Sequence, residues 1–181
     1  LAHVQSSTIF GGMENATAIF YADAYYRKRA LTANLIAHET AHQWFGDAVT
    51  ERDWHHLWLS EGLSTYLADL WTERSEGAPA LRAAMGAKEA KFVERLHRGR
   101  VEGGIGDLDR PIIDTAATDL MGLLNANNYD KAAWMLHQLR GVVGDSAFVR
   151  GLRKYYARHR DGGAAPARLV RSPIARTSRP M

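Results

Sequence analysis

The chain has 181 residues, 46% of them hydrophobic, which is enough to bury one sizeable core and too little for several domains. It contains no cysteine, so disulfides, thiolate nucleophiles and Cys-ligated metals are excluded, and His, Asp and Glu are the only strong ligands left. The net charge of +3 belongs to the C-terminal stretch: residues 162–181 hold Arg168, Arg171, Arg176 and Arg179 with no acid, and the remainder has 19 basic against 20 acidic residues, so no nucleic-acid-binding face is expected.

The chain opens at Leu1 without the basic-then-apolar pattern of a secretion signal, and no apolar run approaches the ~18–20 residues of a spanning helix. A cytoplasmic setting without a membrane partner is therefore expected, and the start reads as internal to a longer protein. Ala2 to Phe10 contain β-branched residues and read as a strand running into Gly11-Gly12. Thr17-Ala18-Ile19-Phe20-Tyr21 is a second extended stretch, which leaves residues 11–15 as the loop between two strands. A glycine pair opens backbone positions closed to other residues; that suits a main chain running close to a ligand, and it suits an ordinary turn as well. Residues 32–45 follow as a helix, with Thr32 as N-cap and Gly46 as its terminator, and with Leu35, Ile36, Ala37, Ala41, Trp44 and Phe45 as apolar packing.

Within that helix stands His38-Glu39-Thr40-Ala41-His42. Two histidines four apart project from one face and can hold one metal ion between them, although so short a pattern also arises by chance on half-apolar helices. An ion such as Zn²⁺ takes imidazole nitrogens plus an oxygen, and a hydrolytic site keeps one position open for water, so a third protein ligand is needed. Glu61, with eighteen residues between it and His42, supplies one from Trp58-Leu59-Ser60-Glu61-Gly62, in a helix read over residues 57–73 that can pack antiparallel to the first. Glu39, beside a ligand and so near the open position, is the natural general base. His55 and His56 lie outside the spacing and read as surface or packing groups.

A further helix is expected from Ala80 to about Leu96, with Lys88, Glu89, Lys91 and Glu94 on its wet face. Residues 99–128, which include Gly103, Gly104, Gly106, Asn125, Asn127 and Asn128, form a long connection with at most short helical pieces. It leads into a helix that starts at Tyr129 and carries Trp134, Met135, Leu136 and Leu139. Asp145 then caps a last helix, with Phe148, Val149, Leu152, Tyr155 and Tyr156 at helical spacing, and the two form a helical hairpin. From Gly162 onward, Pro166, Pro173, Pro180 and scarce apolar content point to a disordered Arg/Pro-rich tail over 162–181.

The run His38-Glu39-Thr40-Ala41-His42-Gln43-Trp44-Phe45-Gly46-Asp47, then Trp54, then Trp58 to Gly62, resembles the M1 family of zinc aminopeptidases. Gly11-Gly12-Met13-Glu14-Asn15 resembles that family's Gly-x-Met-Glu-Asn exopeptidase motif, and the two stand in the family's order. The resemblance covers residues 1–161, and it implies an α+β, mostly α-helical fold like a thermolysin-type zincin catalytic domain, with a small sheet edge before about residue 24. It implies one Zn²⁺ per chain on His38, His42 and Glu61, a zinc-activated water, and Glu39 as the base. Gly11, Gly12, Met13, Glu14 and Asn15 would bind substrate, with Glu14 holding the free α-ammonium of a peptide. Tyr129-Asp130-Lys131 matches the family's Tyr-x-Lys-Gly segment, which selects Tyr129 from the seven tyrosines as oxyanion donor; Ala132 stands where the family usually has glycine. A β-rich N-terminal domain and a C-terminal helical domain would belong to the full-length protein, and the tail departs from the family as a truncation or a frame-shifted end would.

The expected function is removal of N-terminal residues from peptides, with epoxide hydrolysis in a lipid mediator as a remote variant on the same scaffold. The competing class is a non-catalytic zinc-stabilised fragment or interaction module, which the same ligands would permit.

Overall fold

The computed structural model describes residues 1–101 and 110–164. Strands β1 (Ala2–Ser6), β2 (Gly12–Met13) and β3 (Ala18–Ala22) form a three-stranded sheet in the order β1-β3-β2. β1 runs parallel to β3, with Ala2 opposite Ala18; β2 runs antiparallel to it, with Gly12 opposite Tyr21 and Met13 opposite Phe20. The alternation of β3 turns Ile19 and Tyr21 fully inward. Residues 11–15 are therefore not all loop: two of them form an edge strand, too short to carry a period-two signal in the sequence. The return to β3 is a tight turn closed by Ala18 N to Asn15 O at 3.0 Å, with Thr17 at φ 67°.

Helix α1 (Asp23–Arg27) leads to α2 (Ala33–Ala41), whose Thr32 cap accepts a hydrogen bond from Leu35 N at 3.1 Å. Regular α geometry stops at Ala41, before the expected residue 45, because the bonds tighten: Gln43 N reaches Thr40 O and Trp44 N reaches Ala41 O. Gly46, at φ 132°, then turns the chain into β4 (Val49–Glu51). The second helix was expected from residue 57, but Trp54–Leu59 is a 3₁₀ stretch kinked at His56, capped by Asp53 accepting from His55 N, and α3 spans Glu61–Glu76. α3 runs antiparallel to α2: Asn34 meets Thr72, His38 meets Thr65 and His42 meets Ser60.

Helix α4 (Ala78–Val101) starts earlier and runs longer than expected. A π-helical turn at Asn127–Lys131 opens α5 (Ala132–Val143), and α6 (Asp145–His159) packs back on α5. Asp145 is the first residue of α6 and not its cap, because Arg140 draws its carboxylate into two contacts of 2.8 and 3.0 Å. Gly144, at φ 81°, makes the corner. Strand β5 (Gly162–Ala164) then pairs parallel with β4, Val49 opposite Gly162, so ordered backbone enters the stretch read as tail. Gly-Gly-Ala has no strand signal; the pairing rests on main-chain bonds and on Arg52 Nε donating to Gly163 O at 2.8 Å. Gly103, Gly104, Gly106 and the tail beyond residue 164 lie outside the described residues.

The core lies between α3, α4, α5 and α6, with Leu63, Tyr66, Leu81, Ala133, Leu136 and Phe148 buried, each large side chain contributing roughly 1.5–3 kcal/mol. The architecture is α+β and mostly helical, and the sheet and helices α2 and α3 frame one site. The face of α2 away from His38 and His42 borders an apolar groove of about 750 Å³, lined in part by Ile36, Thr40, Trp44, Trp71 and Val149. No helix among the described residues is long and apolar enough to cross a membrane.

Candidate metal centre and active site

Because His38 and His42 are four residues apart on α2, their rings share one face, and the start of α3 brings Glu61 against it. His38 Nε2 lies 3.0 Å from His42 Nε2, and Glu61 Oε2 lies 3.3 and 3.2 Å from these two nitrogens. Tetrahedral ligands at ~2.0–2.1 Å from a Zn²⁺ ion stand about 3.3 Å apart, so the donor set fits such an ion. A second observation agrees. Glu61 Oε2 is buried with no hydrogen bond of good geometry, and burying a carboxylate oxygen is costly unless a cation or a well-aimed donor meets it.

The outer contacts aim the rings. His42 Nδ1 bonds the carbonyl of Phe45 at 3.1 Å, which makes Nδ1 the protonated nitrogen of the neutral ring and leaves the Nε2 lone pair for a ligand. Ser64 Oγ donates to the same carbonyl at 3.3 Å, and Thr65 Oγ1 stands 3.4 Å from His38 Nδ1. Burial opposes charge on His42, yet Glu61, then Glu14 and Glu39, hold its imidazole up to about 9. Burial likewise opposes charge on Glu61, and His38 and His42 bring it down to about 2. The local field favours positive charge at this point.

Glu39 is buried beside the ligands, and burial first, then Glu14 and Glu61 against the pull of His42, raises it to about 7. It takes its place because Gly12 has no side chain: a Cβ there would lie 2.2 Å from Glu39 Oε1. Donor atoms of Glu14, Glu39 and His42 lie within 4.8 Å of one another, so the carboxylate at the end of β2 reaches the same cleft. Of the remaining motif residues, Gly11 precedes β2, Met13 is half-buried in it and Asn15 is exposed at the turn.

Tyr129 comes from the far side, on the π-helical turn, where the widened backbone bond of Lys131 N to Ala126 O at 2.9 Å re-aims the side chain. Its ring stacks on His38 at 6.0 Å between centroids. Burial, then Glu61, Glu14 and Glu39, keep the phenol well above its usual range, so it is a neutral donor near these carboxylates. Ala132 in the usual glycine position is accommodated by an exchange: a Cβ on Gly62 would lie 2.5 Å from the Ala132 methyl, so the methyl fills the space that Gly62 leaves.

His55 is occupied elsewhere, by Asp53 at 2.5 Å and the Ala117 carbonyl at 3.3 Å. Sequence reasoning missed Gln43, whose amide donates to the Glu14 carbonyl and to Asp47. Its position beside His42 was the one available signal, since its partners are set by the fold.

Known proteins resemble this chain over most of its length. The model of the Peptidase family M1 domain matches residues 2–173. Aminopeptidase N of Lactobacillus delbrueckii subsp. lactis is 31% identical over 164 residues, covering 86% of this chain and 19% of its own length. Aminopeptidase N of Streptomyces lividans is 31% identical over 175 residues, covering 88% of this chain and again 19% of its own. The M1 zinc metallopeptidase of Deinococcus radiodurans superposes with a TM-score of 0.71 at 28% identity, over 92% of this chain and 33% of that one. Yeast LTA4 hydrolase, at 23% identity and a TM-score of 0.75 over 90% of this chain and 26% of its own, shares the fold. The chain thus spans about a fifth of the length of the curated relatives it matches. A family match that runs through nearly all of it, from the sheet edge past the last helix, shows that the chain belongs to peptidase family M1.

Proposed function

We propose that this chain is the zinc-binding catalytic part of a metallo-aminopeptidase that removes N-terminal residues from peptides. The observation that carries the reading is the convergence of the His38, His42 and Glu61 donors at 3.0–3.3 Å, with the Glu39 and Glu14 carboxylates opening on the same cleft. His38, His42 and Glu61 would hold one Zn²⁺. When bound, that ion lowers the pKa of water and polarises the scissile carbonyl.

Glu39 takes the proton from the attacking water and passes it to the leaving amine, a role worth roughly 10²- to 10⁴-fold. Tyr129 donates its hydroxyl proton in a hydrogen bond to the oxyanion, and being neutral it adds no competing charge. The Glu14 carboxylate accepts from the substrate's α-ammonium, which sets how far the first peptide bond lies from the ligands. Gly11 to Asn15 form the edge along which the substrate lies, and the glycines let it approach closely. Peptides with a free N-terminus are the substrate class, and a structure of the Deinococcus radiodurans relative holds a Tyr-Ser-Ala substrate. Flanking β-rich and helical domains complete the cleft in this reading, which accords with the much greater length of the relatives.

The test is hydrolysis of an aminoacyl-arylamide and its N-acetylated counterpart by the zinc-loaded chain and by Glu39→Gln. The free substrate should be cleaved and the acetylated one spared, with Glu39→Gln keeping its zinc and losing at least 10²-fold in turnover. Equal cleavage of both substrates would make the chain an endopeptidase; zinc bound without turnover would make it a non-catalytic zinc-stabilised module.

A further inference from the structure

Gln43 follows His42, and its side chain spends both its donors and one acceptor site on one junction. Oε1 accepts from Thr17 N at 2.9 Å, while Nε2 donates to Glu14 O at 3.0 Å and to Asp47 Oδ2 at 2.7 Å. Turned over, the amide would set its oxygen against two acceptors and its nitrogen against a donor, so one orientation alone satisfies the junction. Asp47 is itself tied to the end of the zinc-ligand helix, its N–H bonding His42 O at 2.9 Å. The segment that Gln43 grips is strained: Thr17, β-branched, sits at φ 67°, a conformation that such residues avoid at a cost on the order of 1–3 kcal/mol.

We propose that Gln43 is a positioning residue for the ammonium anchor, clamping the strained Glu14–Thr17 turn to the metal-ligand helix and so fixing where the Glu14 carboxylate stands relative to His38, His42 and Glu61. Gln43 reaches no reacting atom in this account; it acts through Glu14. The inference rests on the reading of Glu14 as the anchor. Loss of the clamp frees the turn to relax toward extended backbone, which carries Glu14 away from the cleft while leaving the metal ligands in place.

The experiment compares zinc-loaded wild type with Gln43→Met, which keeps the length of the side chain and removes its donors and acceptor. Zinc content is measured, and the affinities for leucine hydroxamate and N-acetyl-leucine hydroxamate are measured by calorimetry, which needs no turnover. Wild type should prefer the free amine; Gln43→Met should keep one equivalent of zinc, bind the acetylated probe as wild type does, and lose about tenfold of that preference. The pair Gln43→Glu/Asp47→Asn restores an acceptor for Thr17 and a donor–acceptor contact at position 47, and should recover part of the preference. Unchanged preference in Gln43→Met, or an equal fall for both probes, overturns the proposal. If Gln43→Met does not fold, the pair decides: it lacks the bond to Glu14 O, so a reduced preference supports the proposal and an unreduced one overturns it. A wild type that binds both probes alike overturns the anchor reading itself, and this inference with it.

Discussion

Gly62 of α3 faces Ala132 of α5 with no room for a side chain, and substitution there tests how tightly the two helices are apposed. In Gly62→Ala the new methyl would lie 2.5 Å from Ala132 Cβ and 3.0 Å from Asn128 O. Methyl carbons sit at about 3.5–4.0 Å, so α3 and the start of α5 must part by more than 1 Å or distort. Overpacking of this kind costs roughly 1–3 kcal/mol, which in a domain of this size lowers Tm by about 2–4 °C per kcal/mol. Ala132→Gly alone should also destabilise, by about 1–2 kcal/mol from a lost buried methyl and lower helix propensity. Combined, the two changes remove the clash and return a methyl to the space from the other side, so the pair should cost at least ~1 kcal/mol less than the sum. Recovery is partial because Asn128 O stays close. Urea unfolding of the four proteins at one fixed zinc concentration gives the cycle, since ligand binding shifts apparent stability. Additive effects, or a Gly62→Ala protein within ~0.5 kcal/mol of wild type, would refute the packing argument.

Gly12→Ala should leave zinc content intact and reduce turnover at least tenfold, because the new Cβ would occupy the space of Glu39 Oε1 and displace the base; an active Gly12→Ala protein would contradict that placement. Lys88→Met should destabilise by about 3 kcal/mol at neutral pH, since Asp69 is buried and Lys88 bonds it at 3.1 Å. Burial already holds the Asp69 carboxyl above its usual value against the pull of Lys88, and removing the lysine raises it further. A carboxyl raised in the folded state binds its proton more tightly there than when unfolded, so the deficit is full above the folded pKa, shrinks as pH falls through it, and is gone by about pH 4, where the carboxyl is protonated in both states. Denaturant midpoints across pH 3.5–7.5 check this, and a deficit independent of pH would contradict it.

The convergence of His38, His42 and Glu61 was legible in the sequence because its signals are local. An i, i+4 histidine pair defines one helix face whatever the rest of the chain does, and Thr32 marked the start of that helix three residues before the N–H it receives. What was not legible depends on partners far away in the chain. β2 is two residues long and exists because β3 passes beside it; β5 exists because β4, over a hundred residues earlier, offers a free edge. Asp145 has the composition of a cap, and Arg140 claims it instead. The residues 54–59 carry enough apolar content to read as the first turns of α3, yet they wind as 3₁₀ with a kink at His56. Gln43 is the clearest instance, since its partners at 14, 17 and 47 meet only after the sheet edge has docked on α2. Tyr129 was chosen by resemblance and not by any property of its own, and the π-helical turn that aims it has no sequence signature.

Zinc titration of the purified chain, followed by metal analysis after dialysis, tests the central claim most directly. Wild type should retain about one equivalent, and His42→Ala, in which one nitrogen of the converging set is gone, should retain close to none while keeping its helical circular dichroism. A folded His42→Ala protein that still holds a full equivalent would show that His38, His42 and Glu61 are not the metal site, and the account of the base, the anchor and the tyrosine built around them would fall with it.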